Sequence, residues 1–225
     1  MSCPDIIIIV PYRERKTQKF FFSKHMEYIL EDINYEIYFV HQFDDKPFNR
    51  GAIKNIGFLA IKNKYPKEYE NITFVFHDID TLPFDKILDY ETSIGFIKHF
   101  YGFEHSLGGI FSIKGKDFEC TLGFPTFWGW GQEDTIIQQR CLSLGLNIDR
   151  SQFYKIGSPE ILHLFDGIQR VINPGEVKFF SKNIENLNLT SISNLSYTID
   201  RESNNLTDNI FITNNSKIFY INVSW

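Results

Sequence analysis

The chain has 225 residues with 43% hydrophobic and 23% charged content, which is ordinary for one globular domain with a substantial core. Its net charge of −5 argues against nucleic acid as a partner, because proteins bind that polyanion through an excess of basic residues. Three cysteines without metal-site spacing, and no apolar run long enough for a signal peptide or a membrane anchor, predict reduced thiols and a cytoplasmic location.

The first 90 residues alternate between strand-like and helix-like patterns. Residues 5–10 contain an unbroken run of Ile and Val, which is typical of a strand buried on both faces. Further strands are predicted over 35–41 and 72–76, and helices over 17–32 and 48–64. This order predicts an α/β fold with a parallel sheet. Ligands bind beyond the carboxyl ends of the strands in such sheets, so functional side chains are expected at that edge.

The later part of the chain is less regular. We predict a strand over 110–113 and a helix over 134–144, followed by short antiparallel strands over 196–199, 209–213 and 218–223. The alternative is that part of this tail, which is rich in Asn and Ser, is disordered. We interpret 1–225 as a single domain, with a nucleotide-binding half (5–90), an acceptor and catalytic half (91–182) and C-terminal strands (183–225).

Two acidic residues follow the third predicted strand. Asp78 and Asp80 are two positions apart, so in an extended segment their carboxylates lie on the same side. Hard oxygen ligands of this kind suit Mg²⁺ or Mn²⁺, and such an ion can bridge the oxygens of a diphosphate. The alternative is an ordinary acidic turn.

Basic and aromatic residues are predicted at the same edge of the sheet. Arg13 and Arg15 follow Pro11 and the first strand, and Phe48 and Arg50 precede the second helix. A guanidinium offers a fork of donors that fits phosphate, and an aromatic ring can stack on a base. The alternative for each Arg, considered by itself, is a solvated charge on the protein surface.

The segment 127–134 reads Phe-Trp-Gly-Trp-Gly-Gln-Glu-Asp and is the most informative stretch of the sequence. Glycine leaves space for a cleft, so the rings of Trp128 and Trp130 can stack on a sugar while Glu133 and Asp134 lie beside it. A buried aromatic turn before an ordinary helix start is the alternative, because acidic residues favour the first helical turn.

His163 lies in an apolar, strand-like context, where a lone histidine is most often a core residue. Mn²⁺ would nevertheless accept an imidazole beside a carboxylate.

Seven short motifs occur in the order that they have in one enzyme family. They are residues 10–15, 48–50, 77–80, 108–109, 123–125 and 128–134, and the pair His163 and Asp166. Together they resemble the β-1,4-galactosyltransferase family, including its xylosylprotein branch, in which a His precedes the D-x-D motif. The match runs from about residue 6 to the C-terminal strands.

The resemblance implies a GT-A-type fold, with a Rossmann-like, mostly parallel central sheet, helices on both faces and a small C-terminal antiparallel strand region. It also implies inverting, metal-dependent transfer of galactose, or a related hexose, from a UDP-sugar to a hydroxyl of a glycan or glycoconjugate.

The resemblance further implies roles for individual residues. Asp134 would be the general base, Glu133 would hold the transferring sugar, and Trp130 would bridge donor and acceptor. Asp80 and His163 would bind Mn²⁺, with Mg²⁺ as the alternative and Glu160 as a candidate third ligand. The other predicted substrate-binding residues are Pro11, Arg13, Arg15, Phe48, Arg50, Asp78, Ser106, Gly109 and Trp128.

The sequence departs from the family pattern at several positions. Thr135 follows Asp134, where the family usually continues its acidic run. Ser106 stands two residues before Gly108, where the family commonly has a Tyr that lines the donor pocket. Glu160 and Phe165 occupy the positions of the variable metal ligand. No N-terminal membrane anchor is visible, unlike in Golgi members.

Two other functions stay open. Ser106 favours a transferase for a UDP-N-acetylhexosamine, and loss of turnover would leave a carbohydrate-binding protein of the same fold. The presence of both Asp80 and Asp134 argues against the second alternative, because a lectin needs neither metal–diphosphate chemistry nor a base.

Overall fold

The computed structural model describes residues 3–129, 131–165, 167, 178, 184–201 and 215–223. Its helices are α1 (Lys16–Ile29), α2 (Arg50–Lys64), α3 (Gly115–Cys120) and α4 (Glu133–Ser143), with a short 3-10 helix over Leu189–Ser191. Its strands are β1 (Ile6–Tyr12), β2 (Tyr35–Gln42), β3 (Thr73–His77), β4 (Thr81–Pro83), β5 (Phe96–Gly102), β6 (Ile110–Lys114), β7 (Asn147–Asp149), β8 (Tyr154–Lys155), β9 (Ile161–His163), β10 (Tyr197–Asp200) and β11 (Ile218–Val223).

Within the described ranges, nine strands form one mixed sheet in the order β10-β11-β2-β1-β3-β6-β5-β7, with β8 also paired to β5. The centre is parallel, because β1 pairs with β2 and β3 and β11 pairs with β2 in that sense. Strand β6 is antiparallel to both of its neighbours. Strands β4 and β9 form a separate two-stranded antiparallel sheet.

Helices cover both faces of this sheet, as the alternation of side chains along β1 requires. Ile7 and Ile9 pack into a core with residues of α2, and Ile6 and Ile8 pack into a second core with residues of α1. Every residue of β1, β2 and β3 is buried. The predicted α/β fold of GT-A type is therefore confirmed.

Most predicted elements lie within a few residues of the observed ones. Strands β4, β5, β7 and β8 and helix α3 were not predicted, and β9 was anticipated only as the strand-like context of His163. Strands β4, β7 and β8 have only two or three residues each, too few for a periodic pattern to show. The last strand was predicted as part of a separate antiparallel region, but β11 also joins the central sheet in parallel with β2. The predicted strand 209–213 lies outside the described residues.

In the part of the chain that the structure describes, no helix combines the length and the apolar character that a membrane crossing requires.

Candidate active site

A cavity of about 420 Å³ opens at the carboxyl ends of β1 and β3. It brings together residues from six separate segments that were predicted to be functional. Among its lining residues are Pro11, Arg15, Phe48, Arg50, Asp78, Asp80, Ser106, Gly109, Glu133, Asp134 and His163.

The N-terminus of α2 places Arg50 at the cavity. The side chain of Asn49 accepts a hydrogen bond from the backbone N–H of Ala52 at 3.0 Å, which is the standard way to cap a helix. The backbone N–H of Asn49 donates to the side chain of Gln42, at the end of β2, at 2.9 Å. Arg50 is thereby fixed as the first residue of the helix, beside the sheet edge.

Arg50 is shared among three carboxylates. Its Nη1 donates to Glu133 Oε1 at 2.7 Å and to Asp134 Oδ2 at 2.8 Å, and its Nη2 donates to Asp78 Oδ1. Burial would lower the pKa of Arg50, but these carboxylates raise it well above its ordinary value. Burial likewise pushes the pKa of Asp78 upward, and Arg50 and Lys54 hold it below its usual range. The guanidinium is therefore a permanent cation at the centre of the site.

Left-handed backbone conformations set the position of the acid pair at the start of α4. Gly129 and Gly131 have φ values of 113° and 111°, and Gln132 has a φ of 68°. These values favour glycine, so the two glycines suit the turn that delivers Glu133 and Asp134 to the cavity.

One carboxylate oxygen of Glu133 has no hydrogen-bond partner in the part of the chain that the structure describes. The residue is 4% exposed, and Oε2 has no hydrogen-bond partner among the described residues. Buried acceptors are normally hydrogen-bonded, so this oxygen fits a donor supplied by a ligand, such as a sugar hydroxyl.

Asp134 approaches the backbone of the Gly108–Gly109 segment. A Cβ placed on Gly108 would lie 2.9 Å from Asp134 Oδ2, and the N–H of Leu107 donates to the carbonyl of Asp134 at 2.9 Å. A residue larger than glycine at 108 would therefore displace the carboxylate.

Strand pairing between β4 and β9 brings Asp80 and His163 to one side of the cavity. Thr81 lies opposite His163, and the N–H of Leu164 donates to the carbonyl of Asp80 at 2.7 Å. Asp80 is 8% exposed, and its Oδ2 lies 3.8 Å from Nη1 of Arg15. One carboxylate and one imidazole on the wall of a cavity are suitable donors for Mn²⁺.

Among the residues that the structure describes, no group of three or more His, Cys, Asp or Glu is arranged to hold a metal ion. Glu160 is exposed and does not line the cavity, although its carbonyl accepts a hydrogen bond from the N–H of Phe84 at 2.7 Å. Its role as a ligand stays a prediction.

Three other predicted residues are not placed in this cavity. Arg13 donates to the carbonyl of Lys46 instead. Trp128 lines a second cavity of about 340 Å³, and Lys46 Nζ lies 5.6 Å from the centroid of one of its rings. Trp130 lies outside the described residues, as does Asp166 of the seventh motif.

Tyr101 and Lys54 are among the residues at the site that were not predicted from the sequence. Tyr101, at the end of β5, lines the cavity, and burial raises its pKa. No local sequence pattern indicated Tyr101, because β5 was not predicted. Lys54 lies behind the cavity and contacts Asp134. A lysine on the apolar face of a helix was the signal that could have found it.

A Rossmann-like sheet with an acid pair and a D-x-D segment at its strand ends defines the class of GT-A-type glycosyltransferases. Two family models match consecutive parts of the chain, namely the N-terminal region of glycosyl transferase group 7 over residues 2–93 and the N-terminal domain of galactosyltransferase over residues 91–164. The chain belongs to the β-1,4-galactosyltransferase family.

Curated relatives include β-1,4-galactosyltransferase 7 of Mus musculus, which is 30% identical over 172 residues, or 72% of this chain and 51% of that protein. The xylosylprotein 4-β-galactosyltransferase of Caenorhabditis elegans is 31% identical over 157 residues, or 64% of this chain and 53% of that protein. The chain spans about half the length of these relatives.

Solved structures share the fold. The catalytic domain of Drosophila β-1,4-galactosyltransferase 7 in complex with xylobiose matches with a TM-score of 0.77 at 24% identity, over 97% of this chain and 93% of that one. A mutant of that enzyme in complex with manganese, UDP-Gal and xylobiose matches over the same shares with a TM-score of 0.73, also at 24% identity.

Proposed function

We propose that this chain is an inverting, metal-dependent glycosyltransferase that moves galactose from UDP-galactose to a hydroxyl of a glycan or glycoconjugate. The observation that carries the proposal is the convergence of Asp134, Glu133, Asp80 and His163 on one cavity with Arg50 at its centre. Family membership supports the same reaction.

Asp134 is the general base of the proposed reaction. Inversion requires one group to take the proton of the acceptor hydroxyl while that oxygen attacks the sugar from the face opposite the leaving UDP. Asp134 lines the cavity, and hydrogen bonds from Arg50 to both of its carboxylate oxygens hold it there.

Other residues hold the reactants. Oε2 of Glu133, which has no partner among the described residues, accepts a hydrogen bond from a hydroxyl of the transferring sugar. Phe48 and Arg15 line the same cavity and contact the nucleotide. Asp80 and His163 would bind Mn²⁺, with Mg²⁺ as the alternative. When bound, that ion neutralises the charge that grows on the departing diphosphate.

The relatives guide the choice of substrates. The name of the Caenorhabditis elegans relative specifies a xylosylprotein, and the similar Drosophila structures contain xylobiose and, in one of them, UDP-Gal and manganese. We therefore propose a xylose-containing acceptor as the first to test. A cytoplasmic location stays a prediction from the sequence.

The test measures UDP release and galactosylated product when the chain is incubated with UDP-galactose, xylobiose and MnCl₂. We expect product that disappears with EDTA and returns with excess Mn²⁺. A chain that binds UDP and Mn²⁺ but releases no UDP from any UDP-sugar, with any acceptor of a glycan panel, would instead support the carbohydrate-binding alternative.

A second donor class is favoured by one observation. Ser106, a small residue that is 7% exposed, lines the cavity where the resemblance places a Tyr. The space that this exchange leaves suits the acetamido group of a UDP-N-acetylhexosamine.

A further inference from the structure

Lys54 is a buried cation behind the candidate active site. It lies one helical turn after Arg50 on α2, and its side chain is 2% exposed. Its Nζ lies 3.2 Å from Asp134 Oδ1 and 4.5 Å from the centroid of the Phe124 ring. Burial lowers the pKa of Lys54, as does Arg50, and Asp134 opposes this. A buried ammonium is costly unless it is paired, and Asp134 provides the pairing carboxylate.

Lys54 differs from Arg50 in its access to ligands. Arg50 lines the cavity and divides its donors among Asp78, Glu133 and Asp134. Lys54 does not line the cavity, and among the described residues its carboxylate partner is Asp134 alone. A ligand that draws Arg50 away would therefore leave Lys54 in place on the far side of Asp134.

The charge balance of the cluster gives Lys54 a second effect. Charged and titratable groups from four segments face Asp134, and they are Arg50 and Lys54 from α2, Asp78 from the end of β3, Glu133 from α4 and His99 from β5. Burial lowers the pKa of His99 to about 4, so this ring is neutral near pH 7. Three carboxylates then face two cations, and loss of Lys54 would leave Arg50 alone against all three.

We propose that Lys54 is a positioning residue for Asp134, which holds the Oδ1 atom of that carboxylate from the protein side. The inference rests on the proposed role of Asp134 as the general base. Without this contact the carboxylate is less restricted in orientation, so it is less often placed to take a proton from the acceptor hydroxyl. Loss of Lys54 should therefore lower kcat without weakening UDP binding.

The first test compares Lys54→Met, which removes both contact and charge, with Lys54→Gln, which keeps a hydrogen-bond donor. Transfer is measured with UDP-galactose, xylobiose and MnCl₂ between pH 5 and 9. We expect kcat to fall roughly ten-fold or more in Lys54→Met, and to fall less in Lys54→Gln because the amide can still donate to Asp134. UDP binding in MnCl₂, measured by calorimetry, should stay unchanged because Lys54 does not line the cavity.

Lys62→Met is the matched control, because Lys62 lies on the same helix and pairs with Glu119 away from the cavity. An unchanged kcat in Lys54→Met, an equal loss of kcat in both Lys54 variants, or weakened UDP binding would each overturn the proposal. Thermal unfolding shows which variants fold, and Lys54→Gln decides the question if Lys54→Met does not.

A second measurement does not need turnover. In urea unfolding, Lys54→Met and Asp134→Asn should show effects that do not add in the double variant, because the two side chains are in contact. Additive effects would contradict the contact. If the unaltered chain transfers no sugar, the proposed function fails, and this cycle still tests the interaction itself.

Discussion

At the scale of single residues, the carboxylate of Asp134 lies between the cations of Arg50 and Lys54 and faces the cavity. We expect Asp134→Asn to lose a factor of about 10²–10⁴ in kcat, because a positioned base contributes that much. UDP and Mn²⁺ should still bind, since the substitution preserves shape. Steady-state transfer assays and calorimetry measure the two effects. Asp85→Asn, which neutralises an exposed carboxylate, is the control, and near-normal turnover of Asp134→Asn would remove the assigned role.

Asp80 and His163 form the proposed metal side of the cavity. We expect Asp80→Ala to abolish the strengthening of UDP binding by Mn²⁺, because a sparse shell loses its carboxylate. His163→Ala should weaken this effect less if Glu160 also ligates. Calorimetric titration of UDP, with and without MnCl₂, provides the measurement. Full Mn²⁺ dependence in Asp80→Ala would show that the metal is held elsewhere.

Donor choice depends on the volume beside Ser106. We expect measurable use of UDP-GalNAc beside UDP-Gal, because a small side chain relaxes steric exclusion, and we expect Ser106→Tyr to narrow the choice toward UDP-Gal. Phe103 and His105 also line the cavity, with ring centroids 5.3 Å apart, and would restore exclusion if they filled the space. A panel of UDP-sugars decides, and strict UDP-Gal use by both proteins would show that Ser106 does not set the selectivity.

At the scale of elements, the cap of α2 joins stability to the site. Asn49→Ala removes the hydrogen bond to the N–H of Ala52, which we expect to cost about 1 kcal/mol of unfolding free energy. Since Arg50 is the next residue, UDP binding should weaken as well. Urea unfolding and calorimetry give both values. Asn63→Ala, at the exposed end of the same helix, is the control. An equal loss of unfolding free energy in both variants would show that the cap stabilises the chain no more than an exposed polar side chain does.

The predictability of elements followed their length and burial. Strand β1 was readable as an unbroken apolar run, and helix α2 was readable from apolar residues that recur with the helical period. Strands β8 and β9 are two and three residues long, so their existence depends on partners that a local pattern does not contain.

At the scale of the whole molecule, two buried histidines link stability to pH. Burial lowers the pKa of both His77 and His99 to about 4, against an ordinary value of 6.5. His99 accepts a hydrogen bond from Arg150 at Nδ1, so Nε2 carries the proton and donates to backbone carbonyls. Each ring is therefore held neutral in the folded chain.

The sign of the pH effect follows from these shifts. Between pH 6.5 and 4 the unfolded chain binds more protons than the folded one, so the free energy of unfolding falls as the pH falls. We expect lower urea midpoints at pH 5 than at pH 7.5, and a smaller difference in His99→Gln if that variant folds. A midpoint that does not change over this range would contradict the assignment.

The sequence by itself determined the order of strands and helices in the first half and the chemistry of the D-x-D and Glu-Asp segments. These are properties of neighbouring residues, and local backbone preference and burial period encode them. Only the tertiary structure decided which side chains meet. Arg50 donates hydrogen bonds to the carboxylates of residues 28, 83 and 84 positions away in the sequence. Arg13 donates to the carbonyl of Lys46, and Lys54 donates to Asp134. Such contacts arise because packing of the sheet brings the ends of distant strands to one edge. A local sequence pattern does not encode contacts between residues so far apart in the chain.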